Sequence, residues 1–311
     1  FNEVLLGNFS IILTPAQTSN NHPLAKEKFE SRFKVFYYSS IEELELILKE
    51  ENVDVFYIQK AGFNDGLISR KVKSVVHVVF KFNEKHGEVY AYVSEWLSTV
   101  MTGGKSQFVP LPVYLPDYEN NLRSQLAIPE GAIVFGRYGG WETFDIFFVK
   151  LLIINLIKRQ TNLYFIFMNT DNFVTKGILQ ASKEVISSKY GKKVRVLNLI
   201  LAVYIRLKGK LNMKNVVFLK GTTDMKKKVE FINTCDAMLH ARKQGESFGL
   251  ACAEFSIKNK PVITYKLSDE KAHIDMLGDK GIYYSNYRSL KNIIINFRPN
   301  KEKNWDAYSS K

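Results

Sequence analysis

Short apolar runs rich in β-branched and aromatic residues alternate with amphipathic helical stretches along the whole chain. In the first half the pattern predicts strands at 9–13, 34–38, 53–58, 75–80, 89–93 and 108–111, with helices at 41–51 and 95–101. Ser39-Ser40 before Glu42-Glu43, and Ser94 before Glu95, read as N-caps with acids in the first turn. A second series predicts strands at 132–137, 163–168, 216–219, 237–240, 262–265 and 281–284 and helices at 143–159, 225–234, 248–258 and 290–297. Regular alternation of this kind means α/β with parallel sheets.

Between the two series lie Pro110, Pro112, Pro116 and Pro129, with Asp117, Glu119, Asn120 and Asn121 among them. Proline suits neither helix interiors nor central strands, so a linker is expected there. The expected organisation is 1–116 as a first Rossmann-like domain, 117–131 as linker, 132–297 as a second, and 298–311 as the start of a crossover segment. Two doubly wound domains facing across a cleft would bind a ligand at the C-terminal ends of their strands. No run reaches the length needed to span a bilayer; the longest, 146–157, is broken by Lys150 and Asn155.

A chain of 311 residues has enough material for two cores. Its 44 basic against 31 acidic residues leave a net charge of +13, which favours an anionic partner without choosing one. Cys235 and Cys252 have no CxxC partner and read as buried thiols of a reducing compartment, so a cytoplasmic location is expected. The basic amphipathic stretch 193–210 is a candidate for peripheral contact with an anionic membrane, against the blander reading of a helix packed on its own domain. Neither HExxH, a framed DxD, a Walker loop nor a serine nucleophile elbow occurs, so no metal or cofactor is expected. Nucleic acid is not expected as a partner, since no RRM, KH or helix-turn-helix pattern accompanies the charge.

The most informative segment runs from Cys235 to Phe255. A buried strand ends at His240, a polar loop holds Arg242, Lys243 and Gly245, and a helix is expected from about Ser247. Helix N-termini leave N–H groups free and carry a positive dipole end, which suits a phosphate. Glu246 and Glu254 lie eight positions apart and can hold hydroxyls at two points of one extended ligand. The plain alternative is a capping Glu246 and a solvated Glu254.

Gly245-Glu246-Ser247-Phe248-Gly249-Leu250, the E-x7-E spacing to Glu254, and Asn259-Lys260-Pro261-Val262-Ile263-Thr264 resemble the donor-binding core of GT-B glycosyltransferases of group 1, or family 4, in a divergent branch. The resemblance covers about 132–284 well and the first domain by strand order alone, with both ends looking clipped. It implies transfer of a sugar from a nucleotide-diphosphate donor to a hydroxyl of a glycan, lipid or protein, with retention. It places Glu254 on the ribose, Glu246 on the sugar ring, and Ser247, Phe248, Gly249 and Leu250 along the sugar and diphosphate, beside the strand end at His240.

Arg137 would meet the diphosphate from the strand that opens the second domain, followed by the Gly139-Gly140 turn. The family's lysine a few residues later is replaced here by Trp141, Glu142, Thr143 and Phe144, leaving Arg242 or Lys243 to supply the charge. Base contacts are expected from 220–224, with Thr222, and from 169–171. On the acceptor side the candidates are His77, which loosely resembles the family's histidine, with Lys60 and Asp65. A nucleotide-sugar 2-epimerase-like enzyme of the same fold and a non-catalytic protein that binds anions or nucleic acid through the +13 charge are the rival readings.

Overall fold

A computed structural model describes residues 7–18, 21–157, 162–174 and 213–309. The chain divides into two compact units, Phe1–Pro112 and Val113–Lys311.

The first unit begins with β1 (Ile11–Pro15), α1 (Pro23–Glu30), β2 (Lys34–Tyr38) and α2 (Ile41–Glu50). It continues with β3 (Val55–Lys60), β4 (Lys73–Val78), β5 (Val89–Tyr92) and α3 (Glu95–Thr102). Its strands are parallel and form a two-stranded sheet, β1-β2, and a three-stranded one, β3-β4-β5. Leu44 and Leu48 of α2 pack with Phe56 and Ile58 of β3, with Leu13 and Tyr38 against them, so the alternation along β3 turns one face to the core. Ser40 and Ser94 accept from Glu43 N and Leu97 N as the capping pattern predicts. The strand expected at 108–111 reduces to one bridge, Phe108 against Tyr92, because Pro110 ends any ladder. The helix α1 was not anticipated; it opens with Pro23 at its first position.

In the second unit the sheet strands are β6 (Ile133–Tyr138), β7 (Leu163–Met168), β8 (Val216–Leu219), β9 (Ala237–Leu239), β11 (Val262–Tyr265) and β13 (Gly281–Tyr284). A separate parallel pair joins β10 (Gly245–Glu246) to β12 (Glu270–Lys271). The helices are α4 (Phe147–Ile157), α5 (Met225–Thr234), α6 (Leu250–Ile257), α7 (Ala272–Leu277) and α8 (Tyr287–Asn296). The six-stranded sheet is parallel in the order β13-β11-β9-β6-β7-β8. That is the doubly wound order: strands are added outward from β6 on one side and then from β9 on the other, so the winding reverses between β6 and β9, where a crevice forms at the carboxyl ends.

Every residue of β7 is buried, as a strand covered on both faces requires. The helix α4 is apolar around most of its circumference and joins Leu290, Ile294 and Phe297 in the principal core. It starts at Phe147 rather than 143, and α6 starts at Leu250 rather than 248, because Gly249 at φ +90° cannot belong to a right-handed helix. Past α8, Trp305, Ala307 and Tyr308 are buried against α6, where Ser256 Oγ donates to Trp305 O (3.0 Å) and accepts from Ala307 N (2.8 Å). The basic stretch 193–210 lies outside the described residues. No helix among the described residues is long and apolar enough to cross a membrane.

Candidate functional site

Near the carboxyl ends of β6 and β9 lie two acids with their partners, Glu254 and Glu246. Glu254, in the second turn of α6, is buried with two donors: the Tyr138 hydroxyl on Oε2 and Lys228 Nζ on Oε1 at 2.7 Å. Tyr138 ends β6, stacks on Phe255 with centroids 5.5 Å apart, and lies under Lys228 Nζ at 5.5 Å. Burial, then the neighbouring Glu254 carboxylate, push the Tyr138 phenol well above its ordinary range, so it stays a donor. Beside them a small open pocket of about 180 Å³ is lined by Tyr138, Gly139, Asn169, Gly221, Thr222 and Lys228.

Glu246 lies on β10, only partly buried. Its Oε1 is 3.2 Å from His240 Nε2 and its Oε2 accepts from Arg242 Nη1 at 2.8 Å. Burial opposes ionisation of this carboxyl, but the His240 hydrogen bond and charge and the Arg242 guanidinium outweigh it and hold the group down to about 2. Two glycines make this packing possible. A Cβ on Gly245 (φ +77°) would lie 1.9 Å from Glu270 O, and one on Gly249 would lie 2.8 Å from His273 Cβ. Ser247 and Phe248 fall between Glu246 and that second glycine, and Tyr308 Oη donates to Phe248 O at 3.3 Å. Leu250 opens α6 with an exposed side chain.

Arg137, expected to meet a diphosphate, is buried, and its two terminal nitrogens donate to four protein acceptors. These are Thr170 Oγ1, Thr143 Oγ1, Gly140 O at 3.0 Å and Asn169 O at 3.5 Å. Burial lowers the guanidinium to about 10, partly offset by Glu246, so it remains a cation. The side chain thus ties the Gly139-Gly140 turn to the end of β7, and Asn169 Nδ2 donates to Gly139 O at 2.9 Å across the same gap. The cation that lines the pocket is Lys228. Arg242 is also held internally, by Glu246 and by Gln244 Oε1 at 3.2 Å.

In the first unit His77 is buried on β4, with Nε2 2.8 Å from Val109 O and Nδ1 2.5 Å from the Tyr57 hydroxyl. Burial lowers its pKa. The carbonyl can only accept, so Nε2 carries the proton and Nδ1 accepts from Tyr57. Lys60 and Asp65 form an ion pair at the end of β3, and Lys60 Nζ also lies 3.3 Å from His86 Nε2. Burial raises Asp65, but the Lys60 and Leu67 N–H groups outweigh it and leave the carboxyl below its ordinary range. Among the described residues no three His, Cys, Asp or Glu side chains are grouped to hold a metal ion.

No family model matches the sequence, and no curated protein matches it. Solved structures do. Over 94% of this chain and 80% of its own length, a glycosyltransferase from Rickettsia africae superposes with a TM-score of 0.60 at 12% identity. Anabaena HepE, solved with UDP and glucose, gives a TM-score of 0.61 at 16% identity over 95% of this chain and 84% of its own. S. aureus MnaA, solved with UDP, gives 0.53 at 12% identity over 89% and 79%.

The chain has the GT-B fold. Within that fold the second unit brings Glu246, Arg242 and His240 together, and it brings Gly139 and Thr222 together in the lining of a pocket whose Tyr138 and Lys228 donate to Glu254. The candidate site also holds Tyr138, Lys228 and His273, which sequence reasoning did not single out, and Thr264, which it named only as the end of the 259–264 segment. Lys228 ends the run Lys226-Lys227-Lys228, whose solvated look hides one inward side chain. Tyr138 directly follows Arg137, where alternation along β6 was the available signal.

Proposed function

We propose that the protein is a glycosyltransferase that moves a sugar, with retention, from a nucleoside-diphosphate sugar to an acceptor hydroxyl of a glycan, lipid or protein, without a resident metal. The observation that carries this reading is the Glu254 carboxylate, buried and held by Tyr138 and Lys228 beside a pocket at the carboxyl ends of β6, β7 and β8 in a GT-B sheet. A carboxylate fixed in this way accepts from the two hydroxyls of a ribose. Lys228 and the amides at the start of α6 meet the diphosphate. Glu246, ionised, accepts from hydroxyls of the transferred sugar.

In the transfer, the bond from the anomeric carbon to the diphosphate oxygen breaks as the acceptor oxygen bonds to the same face. The acceptor proton leaves on the diphosphate. Negative charge builds on the leaving group, so the cation and amides aimed at it do most of the catalytic work. Arg137 shapes the glycine turn that faces the nucleotide. In the first unit Lys60 and Asp65 serve the acceptor, whereas His77, buried with both ring nitrogens engaged by Val109 and Tyr57, has none left for it, and the basic stretch 193–210 offers peripheral contact with a membrane carrying the acceptor. HepE and MnaA, each solved with UDP, favour a uridine nucleotide.

The test is a thermal-shift panel of UDP, GDP, ADP and their sugar conjugates on the intact protein and on Glu254→Gln. A ligand that binds the native state raises its apparent stability. A shift with one nucleotide that the variant loses supports the reading. Equal shifts in both proteins count against the ribose assignment, and consumption of a nucleotide sugar without acceptor supports an epimerase instead.

A further inference from the structure

Glu254 is held from two sides by donors of opposite character. The Tyr138 hydroxyl, on Oε2, is fixed: its buried ring stacks on Phe255 at 5.5 Å and meets Phe231 edge-on at 5.8 Å. Lys228 Nζ reaches Oε1 at 2.7 Å on a flexible four-carbon stem, and its side chain is 18% exposed. Both donors line the pocket of about 180 Å³, whereas Glu254, 3% exposed, is not among the described residues that line it. A ligand in the pocket therefore meets the partners of the acid before it meets the acid.

The two donors differ in what it takes to uncover the carboxylate. Moving Tyr138 means pulling a stacked ring out of the core. Moving Lys228 needs only rotation of its stem toward the open pocket that it already lines, at the cost of one charge-assisted hydrogen bond. A ribose alone gives the ammonium only hydroxyls in exchange for a carboxylate, so it leaves the lysine where it is. A diphosphate gives it anionic oxygens, and a ligand shifts such an equilibrium by its differential affinity for the two arrangements. The lysine then trades one charged acceptor for another, and Oε1 is left open to a ribose hydroxyl.

We propose that Lys228 is a specificity-determining residue of the nucleotide site: it covers Glu254 until a diphosphate draws it away, so the acid accepts a ribose only when that ribose carries a diphosphate. The site thus selects nucleoside diphosphates and their sugars against bare nucleosides. This selection rests on the proposed contact of Glu254 with the ribose.

Isothermal titration of uridine and of UDP against wild type, Lys228→Met, Glu254→Gln and the double variant tests it. Methionine keeps the apolar stem without the charge. In Lys228→Met, uridine binding is expected to tighten roughly ten-fold, the order of one competing charge-assisted hydrogen bond removed. UDP binding is expected to weaken by a smaller factor, because the wild-type lysine exchanges one charged partner for another. In the Glu254→Gln background the same lysine substitution should leave uridine binding unchanged, since no carboxylate remains to be uncovered.

A lysine that only touches phosphate leaves uridine binding unchanged in Lys228→Met, and one that only shapes the pocket weakens both ligands; either result overturns the proposal. So does a gain in uridine binding that Lys228→Met also produces on top of Glu254→Gln. If Lys228→Met does not fold, a crystal structure of the wild-type protein with UDP decides: Nζ on the diphosphate and away from Glu254 supports the proposal, and Nζ still on Oε1 overturns it. Wild-type protein that binds neither uridine nor UDP refutes the uridine-nucleotide reading and the proposal together, whereas UDP binding with uridine unmoved by Lys228→Met refutes the proposal alone.

Discussion

Lys228 Nζ lies 2.7 Å from one oxygen of the Glu254 carboxylate while the Tyr138 hydroxyl holds the other, so a helix on one side of the sheet and a strand end share a single buried acid. Removing the lysine strands that acid in the core. Lys228→Met is expected to lower unfolding free energy by about 2 kcal/mol, below the 3–5 typical of fully buried pairs because the Lys228 side chain is 18% exposed. Adding Glu254→Gln to Lys228→Met should recover most of that loss, since the uncompensated charge is gone. Urea unfolding of the two singles and the double gives the coupling energy. Strict additivity would mean the pair is not a functional unit of the fold.

Acid stability separates two neighbouring groups. His273 has an ordinary pKa of 6.5 and a folded value of about 3, so between those values the unfolded chain binds a proton that the folded chain refuses. Stability therefore falls as pH drops from 6.5 toward 3. Glu246, at 4.5 ordinarily and about 2 when folded, adds stability that is full above 4.5 and lost as pH falls through 2. Its side chain is 24% exposed, so screening cuts that contribution to about 1–2 kcal/mol. Unfolding measured from pH 7 to 3 should show that His273→Phe flattens the profile from 6.5 down to about 3, while Glu246→Gln leaves it unchanged above 4.5 and flattens it only below. His77, also lowered by burial, acts in the first window, so the comparison is with wild type. An unchanged slope in His273→Phe would contradict the assignment of a neutral buried ring.

The architecture of the second unit was legible because its strands read as apolar runs closed by glycine or polar turns, and because Glu246 and Glu254 keep a recognisable spacing around Gly249. What stayed hidden depends on partners distant in sequence. Lys228 looks solvated beside Lys226 and Lys227 until Glu254, 26 positions away, is brought to it. Arg137 pointed toward a ligand until Thr143 and Thr170 closed on its guanidinium. The helix α7, which carries His273, spans six residues and has no side-chain cap, so neither periodicity nor a capping residue announced it. Gly249 explains why α6 begins later than the apolar pattern: nothing in hydrophobic periodicity reports a left-handed residue.

Gly245 tests the frame that holds Glu246. An alanine there would need both a left-handed backbone at φ +77° and a Cβ 1.9 Å from the Glu270 carbonyl, so β10 and β12 must separate. Gly245→Ala is expected to destabilise the protein by roughly 2 kcal/mol or more and to abolish the extra stabilisation by UDP-glucose over UDP. Hydrogen exchange at the β10–β12 pair would report the opening. A variant with wild-type stability and wild-type exchange would mean that this pair does not carry the frame.

Arg137 makes its contacts as a planar fork. One nitrogen reaches the end of β7 at Thr170 and Asn169, the other reaches the glycine turn at Gly140 and Thr143, and a lysine's single ammonium cannot serve both sides. Arg137→Lys preserves the charge and removes the bridge. If charge facing a diphosphate were the main contribution of this residue, the lysine variant would bind UDP nearly as well as wild type. The geometry gives the opposite expectation: Arg137→Lys should lose stability and nucleotide binding almost as fully as Arg137→Ala, each by about 2–3 kcal/mol in unfolding free energy, because buried acceptors on both sides are left without donors. Lys228→Arg should behave differently, retaining most binding, since that cation meets Glu254 at one oxygen and lines an open pocket. Isothermal titration of UDP against these four proteins separates a cation that shapes the turn from a cation that faces the nucleotide.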